Sequence, residues 1–193
     1  MNKLTRQDLF SLEKYAEIRA DFRKQVIEHK KHRRLELTPH VALYFEDRLT
    51  MQYQIQEMLR IERIFEAAGI QEELDVYNPL IPDGDNWKAT FMVEYPDENE
   101  RRQALARLVG IENSVWLRVE GHEAVRPVAN EDLDRSAPDK TASVHFLRFQ
   151  LTPPMIAALK AGAALDAGVD HSACQARVRV PEDVRASLVG DLA

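Results

Sequence analysis

Cysteine is nearly absent from this sequence, with Cys174 standing alone. One thiol excludes an internal disulfide, a thiolate zinc cluster and an iron–sulfur cluster held by this chain alone. It fits a reducing cytoplasm, the compartment expected here. Glycine is scarce at seven residues. Neither a P-loop nor a Gly-x-Gly-x-x-Gly turn occurs, so the usual phosphate cradles are missing. No Ser occupies a Gly-x-Ser-x-Gly elbow. The apolar runs fall far short of the roughly 20 residues that a membrane-spanning helix needs. The opening MNKLTRQDLF has no continuous apolar stretch and no small-residue cleavage site, so no secretory signal is expected. A net charge of −6 disfavours general nucleic-acid binding. Trp87, Phe91, Tyr95 and Trp116 have no interleaved basic residues and read as core rather than as a base-stacking platform.

What is present is a globular composition. Apolar residues make up 45% and charged residues 30%, which separates the chain from disordered sequences. A length of 193 residues suits one domain, or two small ones sharing a core. Thr5 and Asp8 resemble a capping box, so a helix should start near Thr5. It continues past Asp21, or a second helix starts there. Arg34 to Leu37 and Val41 to Phe45 read as a hairpin around Thr38, Pro39 and His40. A long helix should then run from about Phe45 to Phe65 and end near Gly69, a C-terminal cap. Residues 78–85, with Pro79, Pro82 and Gly84, form the clearest break. It divides a helical and hairpin region, 1–77, from a β-rich region, 86–193. Within the break, DGDN lacks calcium-loop spacing and reads as a turn.

The second region repeats its own pattern. Strand, helix, strand, strand at Lys88–Tyr95, Glu98–Leu108, Ser114–Val119 and Glu123–Val128 returns at Ser143–Leu151, Pro153–Ala161, Ala164–Val169 and Gln175–Val180. Between the units, residues 129–141 are acidic, without apolar periodicity, and are expected to be a mobile loop. Pro181 to Leu188 should be a last helix. The expected fold is α+β: an N-terminal helical layer with a β-hairpin, then a mainly antiparallel sheet from two β-α-β-β units.

The strongest lead to a site is the long helix. Met51, Ile55, Met58 and Phe65 share one side of its wheel; Leu49, Tyr53 and Ile64 lie nearly opposite. A helix apolar on two sides sits between two layers. Its long polar side chains, Gln52, Gln56, Glu57, Arg60 and Arg63, must then find partners or line a cleft. On the preceding helix, Phe22, Val26, His29 and Arg33 share a stripe. If the helices pack, His29, Arg33, Glu57 and Arg60 meet in one polar cleft. The bland alternative is a structural network with Glu57 and Arg60 as an intrahelical ion pair. His29 and His32 have metal-sharing spacing, with His40, Glu46 and Glu57 as possible further ligands. The flanking Lys30, Lys31, Arg33 and Arg34 repel a divalent ion, so no metal and no cofactor are expected. Arg23, Lys24, Lys30, Lys31, Arg33 and Arg34 form a basic patch suited to an acidic partner, or a solvated helix face. Cys174 has no activating neighbour in sequence.

The strings LEKYAEIRADFRKQVIEHKKHRR, FEDRLTMQYQIQEMLRIERI and LDVYNPLIPDGDNWKATFMVEY stand in that order. Together they resemble the bacterial family known as domain of unknown function 3501, over nearly the whole chain. Members of that family are often encoded beside a rubrerythrin-like protein and a cysteine-rich iron–sulfur oxidoreductase. The resemblance implies a role in peroxide defence or electron transfer and assigns no activity. The leading expectation is a non-catalytic accessory protein for such a redox partner, working through helix 47–66 and patch 23–34. The alternative is a small-molecule enzyme or anion-binding protein using the cleft of His29, Arg33, Glu57 and Arg60. A plain homodimer is a third option.

Overall fold

The computed structural model describes residues 2–131 and 139–193. Residues 132–138 of the expected acidic loop lie outside them. The first helix, α1 (Leu12–Lys31), starts at Ser11, whose hydroxyl accepts the Lys14 amide, and passes Asp21 without a break. The Thr5–Asp8 capping box is present but closes only a short 3-10 turn, Arg6–Asp8. The hairpin follows as β1 (Arg34–Thr38) and β2 (Val41–Phe45).

The next helix, α2, is shorter than expected, Arg48–Ile61. Asp47 and Thr50 form a reciprocal capping box, which fixes its start after Phe45 and Glu46. Arg63, in the left-handed region at φ 54°, turns the chain out of it. Gly69 is not its cap. It sits inside α3 (Ala67–Tyr77), where a Cβ would come within 2.7 Å of the Ile64 side chain. Glycine is needed there for close packing.

The β-rich region contributes β3 (Asn86–Val93), α4 (Glu98–Arg107), β4 (Val115–Val119) and β5 (Val128–Ala129). It continues with β6 (Val144–Gln150), α5 (Pro153–Lys160), β7 (Leu165–His171), β8 (Cys174–Arg179) and α6 (Glu182–Val189). The fold is α+β, with two corrections. There are two antiparallel sheets among the described residues, ordered β1-β2-β3-β6-β5 and β4-β7-β8. The hairpin also belongs to the larger sheet, because β2 pairs with β3 across the break at 78–85. Cross-strand pairing is a non-local choice that periodicity within a strand does not specify.

The two repeat units place their first two strands alike and differ in the third. Each sends its first strand to the five-stranded sheet, where β3 pairs β6, and its second to the smaller sheet, where β4 pairs β7. The third strand is complete only in the second unit, as β8 against β7. In the first it shrinks to one bridge, Leu117 to Val125, before β5 joins β6. Phe45, Trp87, Phe91 and Phe149 pack with Leu117, Leu165 and Val169 in one core between the sheets. A smaller core of Leu4, Met51, Ile55, Leu59, Leu74 and Ile81 holds the helical layer.

Candidate functional site

Helices α1 and α2 pack antiparallel, and this decides where the polar side chains go. The end of α2 meets the start of α1. There Glu57 accepts from the Tyr15 hydroxyl at 2.8 Å and from Arg19 Nε and Nη2 at 2.7 and 2.8 Å. Arg60 adds a contact of 3.1 Å from the exposed side. Arg19 holds the Glu57 carboxyl down to about 2 against the opposing effect of burial, with help from Arg60 and Tyr15. Burial and the Glu57 carboxylate push the Tyr15 phenol up.

Gln52 and Gln56 are fasteners. Gln56, fully buried, accepts from the Phe10 amide at 2.6 Å and donates to the Phe10 carbonyl at 3.3 Å. Gln52 donates to the Asp8 carbonyl at 2.6 Å. The second face of α2 is thus covered by the N-terminal segment, which uses the polar groups that the wheel left unassigned. Arg63 is exposed and has no ion-pair partner among the described residues.

The start of α2 meets the end of α1. His29 Nε2 lies 2.5 Å from Asp47 Oδ2. Arg33 follows α1 rather than belonging to it, and its side chain is 2% exposed. Its guanidinium donates to the carbonyls of Phe45 and Glu46 at 3.0 and 3.1 Å. It also pairs with Asp191 at 2.5 Å and with Asp47 at 3.4 Å. Burial pushes the Asp191 carboxyl up against the pull of Arg33. Burial acts the same way on Asp47, but Arg33, the Thr50 amide and His29 together hold that carboxyl below its ordinary value.

His29 and Arg33 therefore do not meet Glu57 and Arg60. Ten residues separate Arg19 from His29 on α1, which is about 15 Å of helix. The expected single cleft resolves into two networks at opposite ends of the helix pair, and Arg60 is not buried. Asp47 and Asp191 complete the inner network. Asp47 was legible as the cap in its Asp-x-x-Thr pattern; Asp191 carries no sequence signal.

The three histidines considered as ligands also separate. His32 pairs with Asp183 at 2.9 Å. His40 binds the Glu94 carbonyl at 2.9 Å and stacks on Tyr95. Among the described residues, no group of three or more His, Cys, Asp or Glu side chains is arranged to hold a metal. Cys174 packs against the core, and burial pushes its thiol up, away from a nucleophile at neutral pH. Among the described residues no helix is long and apolar enough to cross a membrane.

The basic patch does build a surface feature. A groove of roughly 600 Å³ runs between the last turns of α1, the hairpin and the end of β8. Ile27, Tyr44, Val178 and Pro181 supply its apolar lining, and Lys30, Lys31, Arg34, Arg179 and Glu36 its charge, with Lys31 paired to Glu28, Arg34 to Glu36 and Arg179 to Asp166. Ile27 is 49% exposed. Arg34 donates to the Tyr44 hydroxyl and lies over its ring at 5.5 Å. Lys30, and Arg23 about two turns further back, have no ion-pair partner among the described residues.

The chain is similar to a crystal structure described as a novel protein of unknown function from Burkholderia pseudomallei K96243. The two share 52% sequence identity and a TM-score of 0.95, with 100% of both chains covered. No curated protein matches. The family model described as Protein of unknown function (DUF3501) matches residues 3–192, and the chain therefore belongs to that family, whose function is unknown.

Proposed function

We propose that this protein is a non-catalytic binding protein whose working surface is the basic groove beside the end of α1, and that its partner presents acidic side chains around an apolar contact. The observation that carries the reading is Ile27, half exposed beside Lys30, which has no ion-pair partner among the described residues, while Lys31 and Arg34 are held by Glu28 and Glu36, on a chain of net charge −6. An exposed aliphatic side chain within a mainly basic rim favours a docking surface over a solvated helix face. Helix α2 drops out of the working surface, because Gln52, Gln56 and Glu57 are engaged internally. The alternative enzyme reading loses its cleft for the same reason.

The family resemblance supports the rubrerythrin-like protein or the iron–sulfur oxidoreductase as the partner, in the cytoplasm. Any redox centre then belongs to that partner. A homodimer would use another face, since a two-fold contact through the groove sets cations against cations. The test is calorimetric titration of each purified candidate at about 50 mM and about 200 mM salt. One of the two should bind at low salt and weaken by about tenfold at high salt. Failure of both to bind at low salt, or binding that ignores salt, would contradict the proposal.

A further inference from the structure

A second cleft, of roughly 860 Å³, lies between α3 with the turn after it and the outward face of β3 and β6. It is lined from the helical side by Val76, Tyr77, Pro79 and Leu80, and Val76 is 63% exposed. From the sheet come Lys88, Phe146 and Arg148. Trp87, Ala89 and Phe91 face the main core, so strand alternation turns Lys88 the other way.

Lys88 and Arg148 are direct cross-strand partners. Two cations facing each other on a sheet destabilise the pair unless something lies between or beside them. Here Asp83 takes Lys88 at 2.7 Å and is shared with Lys3 at 2.7 Å. Glu131 takes Arg148 through two bonds of 2.8 Å. Asp75, on the opposite wall, is hydrogen-bonded by Gln71. Lys3, Lys88 and Arg148 thus stand against Asp83, Glu131 and Asp75 in the lining, so the cleft's charges balance in number. Donors also remain. Lys88 uses two of its three hydrogens, on Asp83 and the Ile81 carbonyl, and Arg148 has hydrogens beyond those given to Glu131 and Gln150. Lys88 is 9% exposed, a burial that its pairing with Asp83 makes tolerable.

We infer that this cleft binds an amphipathic carboxylate, with the acid group at Lys88 and Arg148 and an apolar body along Val76, Tyr77, Leu80 and Phe146. The walls suit either an alkyl or an aryl body, and the charge pair at one end fixes orientation. The site is separate from the groove at Ile27 and does not depend on the partner proposed there.

The experiment is calorimetry with decanoate, 4-phenylbutanoate and 1-decanol at neutral pH. At least one of the two acids should bind saturably, one per chain, and decanol about tenfold more weakly or not at all. Which acid binds identifies the body. Arg148→Gln should weaken the acid by about tenfold, and Lys30→Glu with Lys31→Glu should leave it unchanged. Arg148 is partly exposed, so its loss spares the fold, whereas Lys88→Met is informative only with a native circular dichroism spectrum. No saturable binding of either acid, equal affinity for decanol, or an unchanged Arg148→Gln would overturn the inference.

Discussion

Removing Arg33 should be the most damaging single truncation of a charged residue in the helical half. The guanidinium is 2% exposed and touches Asp191, Asp47 and the carbonyls of Phe45 and Glu46. It therefore ties the end of the chain to the hairpin and to the cap of α2. Arg33→Ala leaves Asp191 and Asp47 in a low-dielectric setting with the Thr50 amide and His29 on Asp47 and no guanidinium between them. Breaking a buried pair in this way costs about 3–5 kcal/mol. Arg60→Ala removes a solvated contact to Glu57, which keeps Tyr15 and Arg19, and should cost at most about 1 kcal/mol. The assay is urea unfolding of both variants and the parent at fixed pH and salt, followed by far-ultraviolet circular dichroism. The comparison is the midpoint multiplied by the common slope. Asp191→Asn serves as a second arm, since it removes one charge and keeps the hydrogen-bonding shape. It should be milder than Arg33→Ala, because Asp47 still balances the guanidinium. Equal midpoints for Arg33→Ala and Arg60→Ala would refute the reasoning, for they would mean that burial does not set the strength of these pairs.

Other consequences are as direct. The folded-state pKa of Glu57, about 2 against an ordinary 4.5, lies below its unfolded value. Its contribution is present above the unfolded value and is lost as pH falls from about 4.5 to about 2, so Glu57→Gln should flatten the acid limb of the stability profile. Arg19 and Arg60 are both more than a third exposed, which keeps the size of that contribution to roughly 1 kcal/mol or less. Gly168→Ala should destabilise by about 1–3 kcal/mol and alter the near-ultraviolet signal of tryptophan. The new methyl would meet the Trp116 ring and lie 2.5 Å from the Ala176 carbonyl, and that backbone cannot move aside without breaking the β7–β8 pairing. Elemental analysis of the purified protein should find no stoichiometric transition metal, because His29, His32 and His40 are each engaged elsewhere.

Local signals were readable in the sequence and long-range ones were not. The hairpin at Arg34–Phe45 showed itself through the change from helical to alternating period. The repeated strand–helix–strand–strand order was visible as an offset, because each element has its own periodicity. Which strands pair was not visible. The split into two sheets depends on β4 choosing β7, and the hairpin joins the larger sheet because β2 chooses β3. At the site, the wheel placed Gln56 and Glu57 inward without saying what they meet. It could not place Glu57 beside Arg19 rather than His29, since that follows from the antiparallel sense of the two helices. Asp191 lies 158 residues from Arg33, beyond the reach of any local pattern.

The central claim is that the protein works through the groove at Ile27 and not through the polar helix α2. The two surfaces can be compared in one measurement: calorimetric affinity for whichever candidate redox partner binds, at fixed low salt. Ile27→Asp and the pair Lys30→Glu, Lys31→Glu should each weaken the complex by about tenfold or more. The pair Arg60→Glu, Arg63→Glu, which reverses the same charge on α2 and the turn after it, should leave affinity within about twofold. Loss of binding by the second pair, with the groove variants unaffected, would contradict the account.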